Sequence, residues 1–171
     1  MRAVAGEAGD ISNGVAVAAV LIAAIVVLST SAGADSAAHC HVRGLLPDPV
    51  CTPGSVETAD LDVICHQTTR ERRDVDEVTK ERVFAEYGLS PKQPRGAYEV
   101  DHLIPLCAGG SNDPSNLWPE AAPGFHEKDR LEDEVCREIC AGKLTRSEAV
   151  PLIAADWTAE YAKIFGEGVP R

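Results

Sequence analysis

The side chains best suited to chemistry lie within residues 99–132. Asp101 and His102 are adjacent, Asn116 follows a glycine-containing stretch, and His126 precedes a run of charged residues. An imidazole whose pKa is near neutrality can deprotonate water. A carboxylate and a neutral imidazole, such as those of Asp101 and His126, can bind a divalent cation that stabilises the charge developing on a phosphate. The set therefore predicts hydrolysis of a phosphodiester.

Local patterning predicts two strands and a helix around these residues. Tyr98–Leu106 is β-rich and ends in a turn, Cys107–Ser115 is a loop, Asn116–Pro119 is a second short strand, and Phe125–Ala141 has helical spacing. A hairpin followed by a helix can bring the two strand ends and the helix start together around one ion. We also expect Asn116 to hold the His102 ring by a hydrogen bond.

The run D-H-L-I-P-L, G-G, N-L-W and H-x-x-K resembles the HNH motif of the His-Me finger (ββα-metal) endonucleases. The resemblance implies that His102 is the general base, that Asp101 and His126 bind metal, and that Asn116 orients the base. Over residues 47–164 the chain is similar to a small exported bacterial group of HNH-endonuclease-like proteins, although it lacks the paired C-x-x-C zinc knuckles of many HNH nucleases. The implied fold is α+β, with a ββα-metal core flanked by helices and stapled by disulfides. The implied cofactor is Mg²⁺, with Mn²⁺, Ni²⁺ or Zn²⁺ as alternatives.

The N-terminus has the features of an export signal. Val15–Leu28 is an unbroken apolar run, and Ala32-Gly33-Ala34 supplies the small residues that a signal peptidase requires. Residues 1–34 are therefore predicted to be a cleaved signal peptide. The alternatives are a buried helix and a retained membrane anchor, although the run is shorter than the ~20 residues that a spanning helix needs.

All six cysteines follow the predicted cleavage point, and an even number favours disulfides in an oxidising compartment. A zinc site is the weaker interpretation, because Cys136 and Cys140 do not form a C-x-x-C pair and no second close pair accompanies them. Six cysteines allow fifteen pairings. Two cysteines on one side of the same helix should reach different partners, and one that follows the first strand can tie that strand to the helix. The predicted bridges are Cys40–Cys51, Cys65–Cys140 and Cys107–Cys136.

A chain of 171 residues suits one domain with a real core. Residues 35–60 are predicted to be an irregular, cysteine-containing segment, and 61–166 an HNH-like domain whose ββα finger spans about 97–141. Asp60–His66 looks like a short strand or turn. A last helix begins near Thr145 with a capping box to Glu148 and ends at Gly166, and Pro151 is expected to kink or delay it.

The net charge of −11 disfavours tight non-specific binding of nucleic acid, which depends on Lys and Arg. Loss of residues 1–34 leaves the chain strongly acidic. The basic candidates for phosphate contact are a cluster after residue 69 and two residues of the predicted helix, although a solvated helix face is the default interpretation of both groups. These candidates are Arg70, Arg72, Arg73, Lys128 and Arg130.

The sequence thus predicts an exported HNH-type endonuclease that hydrolyses DNA or RNA with a divalent metal. Two alternatives stay open: a non-catalytic HNH-like scaffold or binding protein of the cell envelope, and a metal-dependent hydrolase of another phosphoester. The expected location is secreted or periplasmic, with no stable membrane span after cleavage; the alternative is an N-terminally anchored protein facing outside. The expected partner is nucleic acid, and no sequence feature identifies an immunity or inhibitor protein.

Overall fold

The computed structural model describes residues 40–170, which belong to one compact unit, Asp35–Arg171. The predicted signal peptide, residues 1–34, lies outside the described residues. The helices are α1 (Leu61–His66), α2 (Thr69–Arg72), α3 (Glu77–Glu86), α4 (Gly124–Cys140) and α5 (Arg146–Phe165), and the strands are β1 (Tyr98–His102) and β2 (Leu117–Ala121). The architecture is thus mixed α and β, as the sequence predicts.

β1 and β2 form an antiparallel pair in which Tyr98 lies opposite Ala121 and His102 opposite Leu117. The strands are joined by a loop that contains two short 3₁₀ turns, Leu106–Ala108 and Pro114–Asn116. α4 follows β2 after a short connection. The chain order of two antiparallel strands and then a helix therefore agrees with the local patterning.

The two-stranded sheet packs against α3 and α4. Val100 of β1 packs with Val83 and Phe84 of α3. Asp101, the next residue, contacts Lys128 of α4 instead, because successive side chains of a strand point to opposite faces. One face of the sheet thus makes apolar contacts with α3, and the opposite face makes a charged contact with α4.

The main apolar core lies between α4, α5 and the loop after β1. Its fully buried members include Leu103, Leu131, Ile153, Trp157 and Tyr161. Burying a large aliphatic or aromatic side chain contributes about 1.5–3 kcal/mol, so this cluster anchors α4 and the loop. Trp118 and Trp157 are likewise buried, at 1% and 0% exposed.

Two local predictions were wrong. Asp60–His66 is not a strand or turn: Leu61–His66 is a helix, because the Asp60 side chain accepts a hydrogen bond from the Asp62 N–H (2.9 Å) and caps the first turn. α5 begins with the predicted capping box of Thr145 and Glu148, but its backbone break lies at Asp156 rather than Pro151. Asp156 accepts hydrogen bonds from Thr158 and Ala159 and so restarts the helix.

Three disulfides join Cys40 to Cys51, Cys65 to Cys140 and Cys107 to Cys136, which is the pairing predicted from the sequence. The last two attach α1 and the loop after β1 to α4. Disulfides persist in oxidising compartments, so these bonds indicate an extracellular or periplasmic environment.

None of the helices within residues 40–170 has the length and apolar character needed to span a membrane.

Candidate functional site

His102 ends β1 and lies on the wall of an open cleft of about 440 Å³. The side chain is only 2% exposed, so the ring presents an edge to the cleft rather than projecting into solvent. The other lining residues carry both signs of charge; the full lining set is Thr69, Arg70, Arg73, Asp101, His102, Leu106, Asp129 and Glu132.

Asn112 holds the His102 ring. The Oδ1 atom of Asn112 lies 3.1 Å from Nε2 of His102 and also accepts the Asp74 N–H, while Nδ2 donates to the Arg72 carbonyl at 2.9 Å. These two backbone contacts fix which end of the amide is the acceptor. Nε2 must therefore carry the proton, which leaves Nδ1 as the basic nitrogen. Nδ1 makes no hydrogen bond within residues 40–170.

The imidazole is neutral at physiological pH. Burial lowers the pKa of His102 to about 4, and the hydrogen bond from the ring to Asn112 offsets only part of that effect. A neutral ring with a free Nδ1 can accept a proton, but a pKa of about 4 makes His102 a weaker base than the near-neutral imidazole expected from the sequence.

The expected hydrogen bond from Asn116 to His102 is absent. Asn116 is fully buried, and its amide instead binds backbone: Oδ1 accepts the Ile104 N–H at 2.8 Å, and Nδ2 donates to the carbonyls of Ile104 and Ser111 at 3.0 and 2.9 Å. Asn116 thus closes the loop between the strands, and Asn112 makes the contact with the ring.

Beneath His102 lies a buried charged group, the Lys128 cluster, formed by Asp101, Glu120, Lys128 and Glu132. The Lys128 side chain is 0% exposed. Its ammonium donates to Asp101 Oδ2 at 2.9 Å, to the His102 carbonyl at 2.6 Å and to Glu132 Oε1. Burial alone would lower the pKa of Lys128, but the carboxylates of Asp101 and Glu132 outweigh it and raise that pKa. Burial would raise the pKa of Asp101, and Lys128 reverses this, so both groups are charged.

Glu120 is the neutral member of the cluster. It is 0% exposed, and neither carboxyl oxygen accepts a hydrogen bond from a donor within residues 40–170. Burial raises the pKa of Glu120 to about 10, and the negative charge of Asp101 acts in the same direction. Glu120 is therefore a carboxylic acid at neutral pH.

The residues present do not fit a divalent ion shared by Asp101 and His126. Asp101 Oδ2 is already bound by the Lys128 ammonium. His126 is exposed, its ring stacks on Phe125, and it does not line the cleft. Within residues 40–170 no three His, Cys, Asp or Glu side chains form a group that could hold a metal ion. The two predicted ligands are thus not brought together.

The basic candidates fall into two groups. Arg70 and Arg73 line the cleft; Arg70 is exposed and forms no ion pair within residues 40–170, whereas Arg73 lies 3.4 Å from Glu99. The other three are occupied elsewhere. Arg72 is buried, donates to the Leu106 carbonyl and pairs with Glu57. Lys128 is buried in its cluster. Arg130 stacks on the rings of Tyr161 and Phe165.

Sequence reasoning missed the roles of Asn112, Glu120 and Lys128. The spacing of Lys128 and Glu132 does match an i, i+4 helix pair. That spacing indicates a surface ion pair by default, and only the packing of α4 on β1 buries it. Asn112 lies in a loop, where no periodicity indicates the direction of a side chain.

Comparison with known proteins does not assign the chain to a family. No family model matches it, and neither the curated proteins nor the solved structures contain a match. The function must therefore be argued from the cleft itself.

Proposed function

We propose that this protein is an exported nuclease that cleaves phosphodiester bonds in the cleft beside His102, with an HNH-like arrangement of two strands and a helix. The observation that carries the proposal is the neutral His102, whose Nε2 is held by Asn112 while Nδ1 stays without a partner. Two arginines stand in the same cleft. A base beside guanidinium groups is a combination suited to a phosphate substrate.

In the proposed reaction Nδ1 of His102 takes a proton from the attacking oxygen. That oxygen belongs to water, or in RNA to a ribose hydroxyl. It forms a new bond to phosphorus as the bond to the leaving oxygen breaks, and the leaving oxygen takes a proton from solvent in the open cleft. Arg70 and Arg73 contribute positive charge beside the non-bridging phosphate oxygens.

The proposal includes export. Residues 1–34 would be removed as a signal peptide, so that the mature chain begins at Asp35 and acts outside the cytoplasm. The three disulfides support this location, because they need an oxidising compartment. N-terminal sequencing of the protein recovered from the producing cell tests the cleavage point.

The test is cleavage of supercoiled plasmid and of single-stranded RNA by the mature protein, His102→Ala and His66→Ala. His66 is the matched control because it is an exposed histidine of α1, outside the cleft. We expect His102→Ala to lose about 10²–10⁴-fold of the rate, the usual contribution of a general base, and His66→Ala to keep it. Circular dichroism verifies that both variants fold.

Equal rates for the mature protein and His102→Ala, or no cleavage of either substrate, would refute the proposed nuclease. In the second case the envelope scaffold becomes the better interpretation. A parallel assay with Arg70→Ala tests the phosphate contact, and Arg95→Ala is its control since Arg95 is exposed and does not line the cleft.

A further inference from the structure

We propose that the Lys128 ammonium occupies the position beside Asp101 that a divalent metal would otherwise take, so that the cleft cleaves phosphodiesters without a metal. This inference rests on the proposed nuclease function and specifies how its site is charged. It begins from the three acceptors of Lys128, which are two carboxylates and one backbone carbonyl. Oxygen donors of this kind are the ligands that Mg²⁺ and Ca²⁺ prefer in proteins.

The ammonium uses its full donor capacity in this position. Its three N–H groups are matched by Asp101 Oδ2, the His102 carbonyl and Glu132 Oε1. A metal ion bound to Asp101 would have to displace Lys128 from a fully buried position. That displacement would strip a buried charge of all its partners, which is strongly unfavourable.

Lys128 acts through His102 rather than on the substrate, because no part of its side chain is exposed to the cleft. It is therefore a positioning residue. The Lys128 ammonium donates a hydrogen bond to the His102 carbonyl oxygen at 2.6 Å and so holds the backbone of that residue. It also balances the negative charge of Asp101, which precedes His102 in β1. The charge that faces the phosphate comes from Arg70 and Arg73, which line the cleft.

The first experiment measures cleavage by the mature, disulfide-bonded protein in excess EDTA and in Mg²⁺. We expect rates that agree within about twofold, whereas a metal-dependent nuclease loses its activity in the chelator because the metal supplies its charge stabilisation. Cleavage that requires Mg²⁺ would overturn the inference and leave the proposed nuclease standing. No cleavage in either buffer would instead refute the proposed nuclease.

The second experiment needs no activity. Free Mn²⁺ is titrated by electron paramagnetic resonance with the wild type, Lys128→Ala and Lys143→Ala. Lys143→Ala removes the same charge from an exposed side chain and controls for general attraction of Mn²⁺ to the acidic surface. We expect Lys128→Ala to bind one Mn²⁺ more than the other two proteins, because Asp101 and Glu132 are then unpaired. Adding Asp101→Asn to Lys128→Ala should abolish this extra site.

A Mn²⁺ site in the wild type that Asp101→Asn removes would overturn the inference. If Lys128→Ala fails to fold, the wild type and Asp101→Asn still decide the point. A folded Lys128→Ala that gains no Mn²⁺ site would also overturn the inference. Chelator-resistant cleavage together with no Asp101-dependent Mn²⁺ site in the wild type would support Lys128 as the resident cation.

Discussion

At the scale of single residues, Asp101 and Glu120 show how two neighbouring buried carboxyl groups acquire different protonation states. Both face the same ammonium, yet Asp101 is ionised through its direct contact with Lys128, while burial keeps Glu120 protonated. The Asp101 carboxylate thus stays in direct contact with the ammonium, and the protonated Glu120 adds no repulsion to it. The cluster tolerates burial because nearly every charge in it has a partner.

The raised pKa of Glu120 predicts a stability that falls as pH rises. The folded-state pKa is about 10 against an ordinary value of 4.5, so the favourable contribution is complete below pH 4.5 and is lost as pH rises toward 10. His102 has the opposite sign, but its window lies between about 4 and 6.5. Glu132 shares the sign of Glu120, but its pKa is raised only to about 7, so measurements between pH 8 and 9 isolate Glu120.

Glu120→Gln keeps the size and the neutral state of the side chain and removes its titration. We expect the wild type to lose up to about 1.4 kcal/mol of unfolding free energy per pH unit in this window, and the variant to lose markedly less. Urea unfolding at pH 8, 8.5 and 9 measures both slopes. Parallel slopes in the two proteins would show that Glu120 is already ionised in the folded state.

At the scale of elements, the loop between β1 and β2 determines where His102 points. Gly110 lies so close to the strand end that an added Cβ would meet the Ile104 carbonyl oxygen at 1.9 Å. Asn116 then ties the loop to both backbone groups of Ile104. The loop can consequently present Asn112 to the imidazole in one orientation.

Two asparagines of this loop should respond differently to replacement by alanine. Asn116→Ala leaves buried backbone groups of Ile104 and Ser111 without partners, so we expect a loss of about 3 kcal/mol in unfolding free energy. Asn112 is only partly buried, so Asn112→Ala should cost about 1 kcal/mol while it lowers cleavage by releasing the His102 ring. Urea unfolding and plasmid nicking separate the effects. A larger stability loss for Asn112→Ala would contradict this division of roles.

At the scale of the whole molecule, the disulfides attach the outer segments to α4. The Cys65–Cys140 bridge closes a separation of 75 residues, whereas Cys40–Cys51 closes 11. A longer closed loop restricts the unfolded chain more. The long bridge keeps α1 beside α4, and α2, which follows α1, carries Arg70 into the cleft.

Removing each bridge by paired Cys→Ser substitution tests this role. Loop-closure entropy predicts a loss of about 4 kcal/mol for Cys65–Cys140, allowing for the Cys107–Cys136 bridge inside its loop, and about 3 kcal/mol for Cys40–Cys51. Urea unfolding measures both. A greater loss for the short bridge would mean that folded-state contacts near Cys40, rather than chain entropy, dominate its contribution.

The acidic charge of the molecule would limit how the proposed nuclease binds nucleic acid. With a net charge of −11 and two arginines in the cleft, few phosphates can be neutralised at once. Binding should accordingly be weak and only modestly dependent on salt, since the slope scales with the number of phosphate contacts. This suits an enzyme that releases its product more than a protein that holds nucleic acid.

The sequence by itself determined the features that depend on local chemistry. The alternation around Tyr98–His102, the spacing of Leu131, Val135 and Ile139, and the cap at Thr145 predict elements that the structure contains. The predicted cysteine pairing is also the observed one, although the position of Cys136 and Cys140 on one helix excludes only a bridge between those two. Asp60 shows the limit of such reasoning, since a single capping side chain converts an apparent strand into a helix.

Only the tertiary structure decided which side chains meet. Lys128 and Asp101 are far apart in the chain, and their contact exists because α4 packs on β1. The same packing buries Lys128 and leaves His126, two residues earlier, on the exposed side of the helix. An α-helix turns about 100° per residue, so two residues that are two positions apart point in nearly opposite directions. Because Lys128 faces β1, His126 points away from it and cannot take the ligand role that the motif predicts. His102 was evident from the residues alone; the ammonium beneath it and the amide that holds its ring were decided by the fold.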